Sequence, residues 1–437
     1  METFDIPEFV DNDFTDQQSS EAMADYFSSI SQEFAPIDVD EFPPTIKESL
    51  ENGKKDTNIP TLFEHEVHAK IIKAKKPHSM VPGDIQRLLV KECSVELSSP
   101  VTQIYNEITK SKEYPRALVN EKQTPIPKTN PPSSLDDIRN ISGTPFLSKQ
   151  YEAFLSDWLL PIVDPFLHPG QYGGPKKSSI SHYLIKLLHF IHFNLDRPDP
   201  HAVLLALVDM SKAFNRMSHQ KVIEDLFDMK VPGWLLLILV SYISDRKMVL
   251  SYRGVLSSLR LLPGSSPQGT VLGVILFIII FNGAALRPSI PRQSWPFLSK
   301  KNNDPAAITV KFVDDLSMAV RVNLELDLTG DEGRPKPPNF EERFEYKLKD
   351  ESNALQVMID DLRVFANERN MVIDEKKSSV IKFSKSRTKD FPTEMKMHNK
   401  FLQVKQSIKV LGVILTSDLK FEANTEYMCT KAYKMCG

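Results

Sequence analysis

The run "ITVKFVDDLSMAVRV" (308–322) alternates on both sides of two adjacent acids, Asp314 and Asp315. Ile308, Val310 and Phe312 share one parity, and Leu316, Met318, Val320 and Val322 share another. Period-two alternation interrupted by a short polar break predicts two antiparallel strands with the acids at the turn. A chain with such a hairpin must supply a sheet for it. The run "HAVLLALVDM" (201–210) fits as the neighbour, being short, continuously apolar and ended by one acid, Asp209. Such a strand is buried on both faces and delivers its last residue to the sheet edge. Two other acid pairs serve as controls. Asp136-Asp137 falls in a Pro- and Ser-rich loop, and Asp360-Asp361 is expected on the polar side of a helix.

Carboxylates gathered at one point repel, so a cluster of Asp209, Asp314 and Asp315 needs a cation. Mg²⁺ prefers oxygen ligands and keeps waters that phosphate oxygens can replace. Two such ions can stabilise the attacking and leaving oxygens of a phosphoryl displacement. Each acid also has a plainer reading. Asp209 could cap the following helix, and Asp314-Asp315 could be only a polar turn.

The rest of the chain sets the frame. Residues 1–60 carry 15 acids against 3 bases, leaving 42 acids and 51 bases for the remainder. The head shows no sustained periodicity and is expected to be an acidic linker or disordered, ahead of a mildly basic body suited to nucleic acid. Order is expected from Thr61. The segments 62–76 and 83–111 look helical, the second with Ile85, Leu88, Leu89 and Val95 on one face, and 146–168, 178–195 and 218–230 follow. "ESNALQVMIDDLRVFANERN" is the cleanest helix, with Leu355, Met358, Ile359, Leu362 and Phe365 at helical spacing. "SVIKFS" and "IKVLGVIL" read as strands, and 286–306 and 323–347 as surface insertions. His182, His189 and His192 share a helix face, but with no acid beside them they read as surface or structural histidines rather than metal ligands. Cys93, Cys429 and Cys436 are too few for a disulfide framework, which suits a reducing intracellular compartment; nothing separates nucleus from cytoplasm. The apolar runs 234–243 and 271–281 fall short of the roughly 20 residues a membrane-spanning helix needs, so no membrane partner is expected.

"ALVDMSKAFNRMSH", "PGSSPQGTVLGVILFIIIFN" and "KFVDDL", in that order, resemble the A, B and C motifs of reverse transcriptases, in the flavour of non-LTR (LINE-type) retrotransposons. "PIPKTNPPSSLDDIRNIS" and "QYGGPKKSSISHYL" are similar to the family's finger segments, and "VIDEKKSSVIKFS" and "IKVLGVIL" to its D and E motifs. The resemblance runs from about residue 61 to 420. Several motifs in family order are far more specific than any one alone.

The resemblance implies an α+β right-hand polymerase fold with an antiparallel palm sheet: fingers over 61–200, palm over 201–420, and the start of a truncated thumb over 421–437. It implies an RNA-directed DNA polymerase of a mobile element, adding dNTPs to a DNA primer on an RNA template, with an upstream endonuclease in the full-length element. Asp209, Asp314 and Asp315 would be catalytic and would ligate two Mg²⁺ ions, or Mn²⁺ as a substitute, with the Met210 backbone carbonyl completing a shell. Phe214 matches the steric gate against a ribose 2′-OH. Gln268 and Gly269 match the strand- or nucleotide-contacting pair of motif B, and Lys128 and Arg139 the residues that hold the triphosphate. Lys377 matches the motif D lysine, a general acid for the pyrophosphate, with Lys376 as the neighbouring register. Asn215, Phe312, Val274, Asp374 and Ser378 depart from the commonest family residues, and none of them is a metal ligand. The alternative is a catalytically impaired or host-adopted relic that keeps the fold and binds RNA or DNA. An unrelated two-metal nuclease needs more carboxylates and leaves Gln268-Gly269 unexplained.

Overall fold

The computed structural model describes residues 4–11, 13–74, 81–175, 178–198, 201–284, 306–326, 346–348, 354–385 and 394–436. The expected insertions, 286–306 and 323–347, lie largely outside these residues. The strands in chain order are β1 (Glu121–Pro127), β2 (Ile138–Gly143), β3 (His201–Val208), β4 (Met210–Ser211), β5 (Lys247–Tyr252), β6 (Val255–Leu256), β7 (Arg260–Leu261), β8 (Ala307–Phe312), β9 (Asp315–Leu326), β10 (Tyr346–Leu348), β11 (Val372–Ile373), β12 (Ser379–Ser384), β13 (Lys396–Met397), β14 (Lys400–Phe401), β15 (Gln403–Lys405), β16 (Ser407–Val410) and β17 (Val413–Thr416). The chain forms two compact units, one from 1–167 with 212–280 and one from 168–211 with 281–437. The boundaries expected at 60, 200 and 420 do not follow this division, because each unit is assembled from segments distant in sequence.

The second unit is built on a sheet ordered β10-β9-β3-β12-β15, with β8 also paired to β9. Its pairs are antiparallel except β12–β15. β3 is central, which explains its unbroken apolar sequence: both of its faces are covered. Val203 and Leu205 join Tyr183, Leu187, Phe190 and Ile191 of the helix Ile180–Leu195 in one core, and Ala202, Leu204 and Ala206 are fully buried as well. The helix Ala354–Glu368 packs on β9 and β11 through the expected residues Leu355, Met358, Ile359, Leu362 and Phe365. One expectation on that helix fails. Asp360 is on the surface, but Asp361 is 8 % exposed and lies on the buried side. "IKVLGVIL" is a hairpin rather than one strand: β16 and β17 pair across Leu411 and Gly412, both at positive φ.

In the first unit β5 pairs with β1, β6 and β7, and β1 pairs with β2. The helix Val271–Ile280 packs on Phe146–Val163, so the apolar run 271–281 is a core element. No helix among the described residues is long and apolar enough to cross a membrane.

The acidic head is not a linker. It forms helices Asp16–Ser31 and Pro44–Lys55. The first is opened by a capping box between Thr15 and Gln18 and buries Met23, Ala24, Phe27 and Ile30 against Met248, Leu250, Tyr252 and Leu262. The second crosses the helix Gly233–Ile243 at Gly53 and Gly233, where a Cβ on Gly53 would lie 2.3 Å from the Gly233 carbonyl carbon. The carboxylates of the head have partners: Glu21 and Asp25 pair with Arg260, Asp16 with Arg253 at 3.3 Å, and Glu33 with Arg216 at 2.6 Å. The face expected from Ile85, Leu88, Leu89 and Val95 does not form. Ile85 precedes the first helical turn, the helix breaks at Cys93 into Arg87–Glu92 and Ser94–Ser111, and all four residues are exposed.

Candidate active site

The acid-bearing hairpin forms as its alternation requires. β8 and β9 pair down to Phe312 opposite Asp315, leaving Val313 and Asp314 as a two-residue turn. β3 pairs with β9 from His201–Asn323 to Val208–Leu316. One more step of that antiparallel register sets Asp209 across from Asp315, on one face of the sheet. Asp209, Asp315 and Lys377 accordingly line one pocket of about 150 Å³, together with Leu207, Ser317 and Tyr183.

Asp314 stands on the turn and does not line the pocket, and among the described residues no three His, Cys, Asp or Glu side chains come together to hold a metal. His182, His189 and His192 are exposed, in keeping with surface histidines.

Asp209 is held by its backbone. Its N–H donates to Ser378 Oγ at 3.2 Å, and its carbonyl accepts from Asp374 N–H at 2.8 Å. The loop 374–378 is closed on itself, since the N–H groups of Lys376 and Lys377 both donate to Asp374 Oδ1 at 3.1 Å. β11 pairs with β4 and β12 with β3, so this loop spans the single residue between β3 and β4. Asp374, where the family usually has Asn, therefore anchors the site. The Lys377 ammonium lies 3.0 Å from Asp374 Oδ2 and 3.9 Å from Asp209 Oδ2, and its proximity helps hold the Asp374 carboxyl below the usual carboxylate range, against the opposing effect of partial burial. Lys377 lines the pocket and Lys376 does not. Met210 pairs with Ile373, its side chain buried.

The remaining candidates belong to the other unit. Lys128 follows β1, and its Nζ donates to the Asp136 carbonyl at 2.9 Å; Arg139 on β2 is exposed and opposite Ile126. Gly269 has φ +115, a region open to glycine, and its neighbour Gln268 accepts the Ser142 N–H of β2 at 2.8 Å. The Phe214 carbonyl accepts the Ser266 N–H at 2.7 Å. Its ring is 9 % exposed and stacks on Phe277 at 4.8 Å, so it is a core aromatic whatever else it does. Sequence reasoning missed Lys212, whose ammonium lies 2.9 Å from Asp136 and 4.3 Å over the Tyr26 ring.

Residues 126–415 match the family model described as reverse transcriptase (RNA-dependent DNA polymerase). The chain belongs to the reverse transcriptase family. The sequence is 22% identical over 356 residues to the RNA-directed DNA polymerase from mobile element jockey of Drosophila melanogaster, covering 80% of this chain and 34% of that protein. It is 28% identical over 183 residues to the probable RNA-directed DNA polymerase from transposon BS of the same species, covering 40% and 19%. This reverse transcriptase thus spans about a third of the length of the first relative and about a fifth of the second. Among solved structures, a Candida tropicalis telomerase in complex with a fragment of telomeric RNA matches with a TM-score of 0.44 and 11% identity, over 76% of this chain and 49% of that one. The α+β reverse transcriptase fold expected from the motifs holds.

Proposed function

We propose that this chain is an RNA-directed DNA polymerase of a mobile element, extending a DNA primer on an RNA template with dNTPs. The observation that carries the reading is the strand register that sets Asp209 and Asp315 across from each other in a pocket with Lys377. Two facing carboxylates form an oxygen donor set that fits Mg²⁺, in a pocket that Lys377, Lys409, Ser317 and Tyr183 also line. Asp209 and Asp315 would hold the metal, with the Met210 carbonyl beside them; Asp314, which the motif also assigns, stands outside the pocket. When bound, Mg²⁺ supplies positive charge where the α-phosphate gains negative charge. Lys377 would hold the proton that the departing pyrophosphate takes up. Lys128 and Arg139 would bind triphosphate oxygens by fixed charge, Phe214 would crowd a ribose 2′-OH, and Gln268 and Gly269 would contact the strand or nucleotide.

The test is extension of a primed RNA template in Mg²⁺. Asp209→Asn and Asp315→Asn are expected to lower extension by more than about a hundredfold while leaving the fold intact. Extension unchanged in either variant rejects the assignment. A second reading is a folded relic that binds nucleic acid without polymerising, favoured by the departure at Val274 from the commonest family residue. It predicts a wild-type protein that retains primed template on a filter and adds no nucleotide.

A further inference from the structure

We propose that Gln171, with Gly173, is a positioning residue for the acidic turn, fixing Val313-Asp314 so that Asp315 stays opposite Asp209. This rests on reading that pocket as the catalytic site. Val313 has φ +61. Its side chain is β-branched, and such residues avoid this region because Cβ and both Cγ atoms crowd the backbone. Left alone, the turn would relax to another geometry and carry Asp315 with it, so something must hold Val313.

The holding groups all come from 170–173. Gln171 is 5 % exposed. Its Oε1 accepts the Val313 N–H at 3.2 Å and the Gly173 N–H at 3.0 Å. Two backbone donors on one oxygen fix which way the amide faces, and they leave Nε2 buried without a partner. A buried amide that gives up one of its hydrogen bonds to hold a turn is unusual for a core residue, where a methionine would fill the space at no polar cost. The same stretch lies along β8: Lys311 N–H donates to the Gly170 carbonyl and Tyr172 N–H to the Lys311 carbonyl, each at 2.8 Å. A Cβ on Gly173 would lie 2.6 Å from Val313 N and 2.7 Å from Val313 Cγ2. Gly173 thus closes on the Val313 backbone while Gln171 holds its N–H.

A strap that only stabilised the fold would affect melting and nothing else. A positioning strap also changes how well the acids receive a cation. The probe is Mn²⁺ binding to the full chain without nucleotide, read by electron paramagnetic resonance, alongside the thermal midpoint. Gln171→Met keeps the volume and removes the acceptor; Gly173→Ala pushes the turn while the Gln171 acceptor stays in place. Both are expected to weaken Mn²⁺ binding about tenfold, the scale on which outer partners of metal ligands act. Val313→Gly adopts φ +61 freely, so adding it to Gln171→Met is expected to bring binding back to within about threefold of wild type. Folded Gln171→Met protein with wild-type Mn²⁺ binding overturns the proposal, as does loss of folding in both single variants, which makes the strap structural only. A wild-type chain that binds no Mn²⁺ is a different result: it rejects the metal reading of the pocket itself, and the positioning role with it.

Discussion

Lys311 is fully buried in the strand that leads to the acids. Its ammonium donates to the carbonyls of Asn282 at 2.8 Å and Phe281 at 3.2 Å, and no carboxylate is among these partners. Burial therefore pushes its pKa down to about 7. The unfolded chain restores the ordinary value, near 10.4, so between these two values the unfolded state binds more protons and stability rises with pH. His168 acts in the same direction at lower pH. Burial first and the Lys311 charge second bring it to about 4, which adds a rise between there and roughly 6.5. The expected outcome is a urea midpoint that climbs from pH 7 to pH 10, by a total on the order of 2–4 kcal/mol. Lys311→Met should flatten that part of the curve while His168 still shapes the acid side. A midpoint that falls over the same range would show the lysine to be charged and paired in the folded state. The sequence disclosed half of this strand: alternation marked Ile308, Val310 and Phe312 as one face and was silent about what covers the other. The same limit applies to Asp361 and to Gln171, whose burial depends on elements far along the chain.

At the scale of elements, the head shows how charge can hide periodicity. Met23, Phe27 and Ile30 recur at helical spacing behind Thr15 and Gln18, a readable start signal, but 15 acids in 60 residues drew the reading toward disorder. What the sequence could not display was the set of arginines, more than 180 residues away, that receive those acids. The packing also decides whether the head is a removable cover. Met23, Phe27, Ile30, Ile46 and Leu50 are at most 5 % exposed, and burying such side chains is worth roughly 1.5–3 kcal/mol each. Exposed ion pairs of the Glu21–Arg260 kind contribute up to about 1 kcal/mol and weaken with salt. Deleting 1–60 is therefore expected to leave the first unit unfolded or aggregated. Glu21→Gln with Asp25→Asn should lower its stability only slightly, less so in high salt. Circular dichroism with a urea titration separates the cases. A deleted protein that folds cooperatively would restore the linker reading, in which the head merely screens the basic body. By contrast, β3, the β8–β9 hairpin and the helix Ala354–Glu368 were legible because each carries one dominant period over its whole length.

At the scale of the whole molecule, the chain passes between its two units at 167–168, 211–212 and 280–281. Motif order, read along the sequence, suggests consecutive domains, whereas pairing, not order, decides which segments share a compact unit. The first unit cannot be had from its N-terminal segment alone. β1 takes β5 as a parallel neighbour, with Glu121 opposite Met248, and the helix Phe146–Val163 takes Val271–Ile280. Most costly of all, the carboxylate of Glu121 and the guanidinium of Arg246 meet at 2.8 Å with both side chains at most 1 % exposed. A fragment ending at 167 would keep the buried carboxylate and lose its cation, and an unpaired buried charge of this kind costs about 3–5 kcal/mol on top of the lost packing. Residues 1–167 are therefore expected to be unfolded by circular dichroism. The same residues joined to 212–280 through a flexible Gly/Ser linker should show one cooperative urea transition, and Arg246→Met in that joined chain should lower its midpoint sharply. Folding of 1–167 by itself would mean that β5 and the Glu121–Arg246 pair decorate the unit rather than complete it.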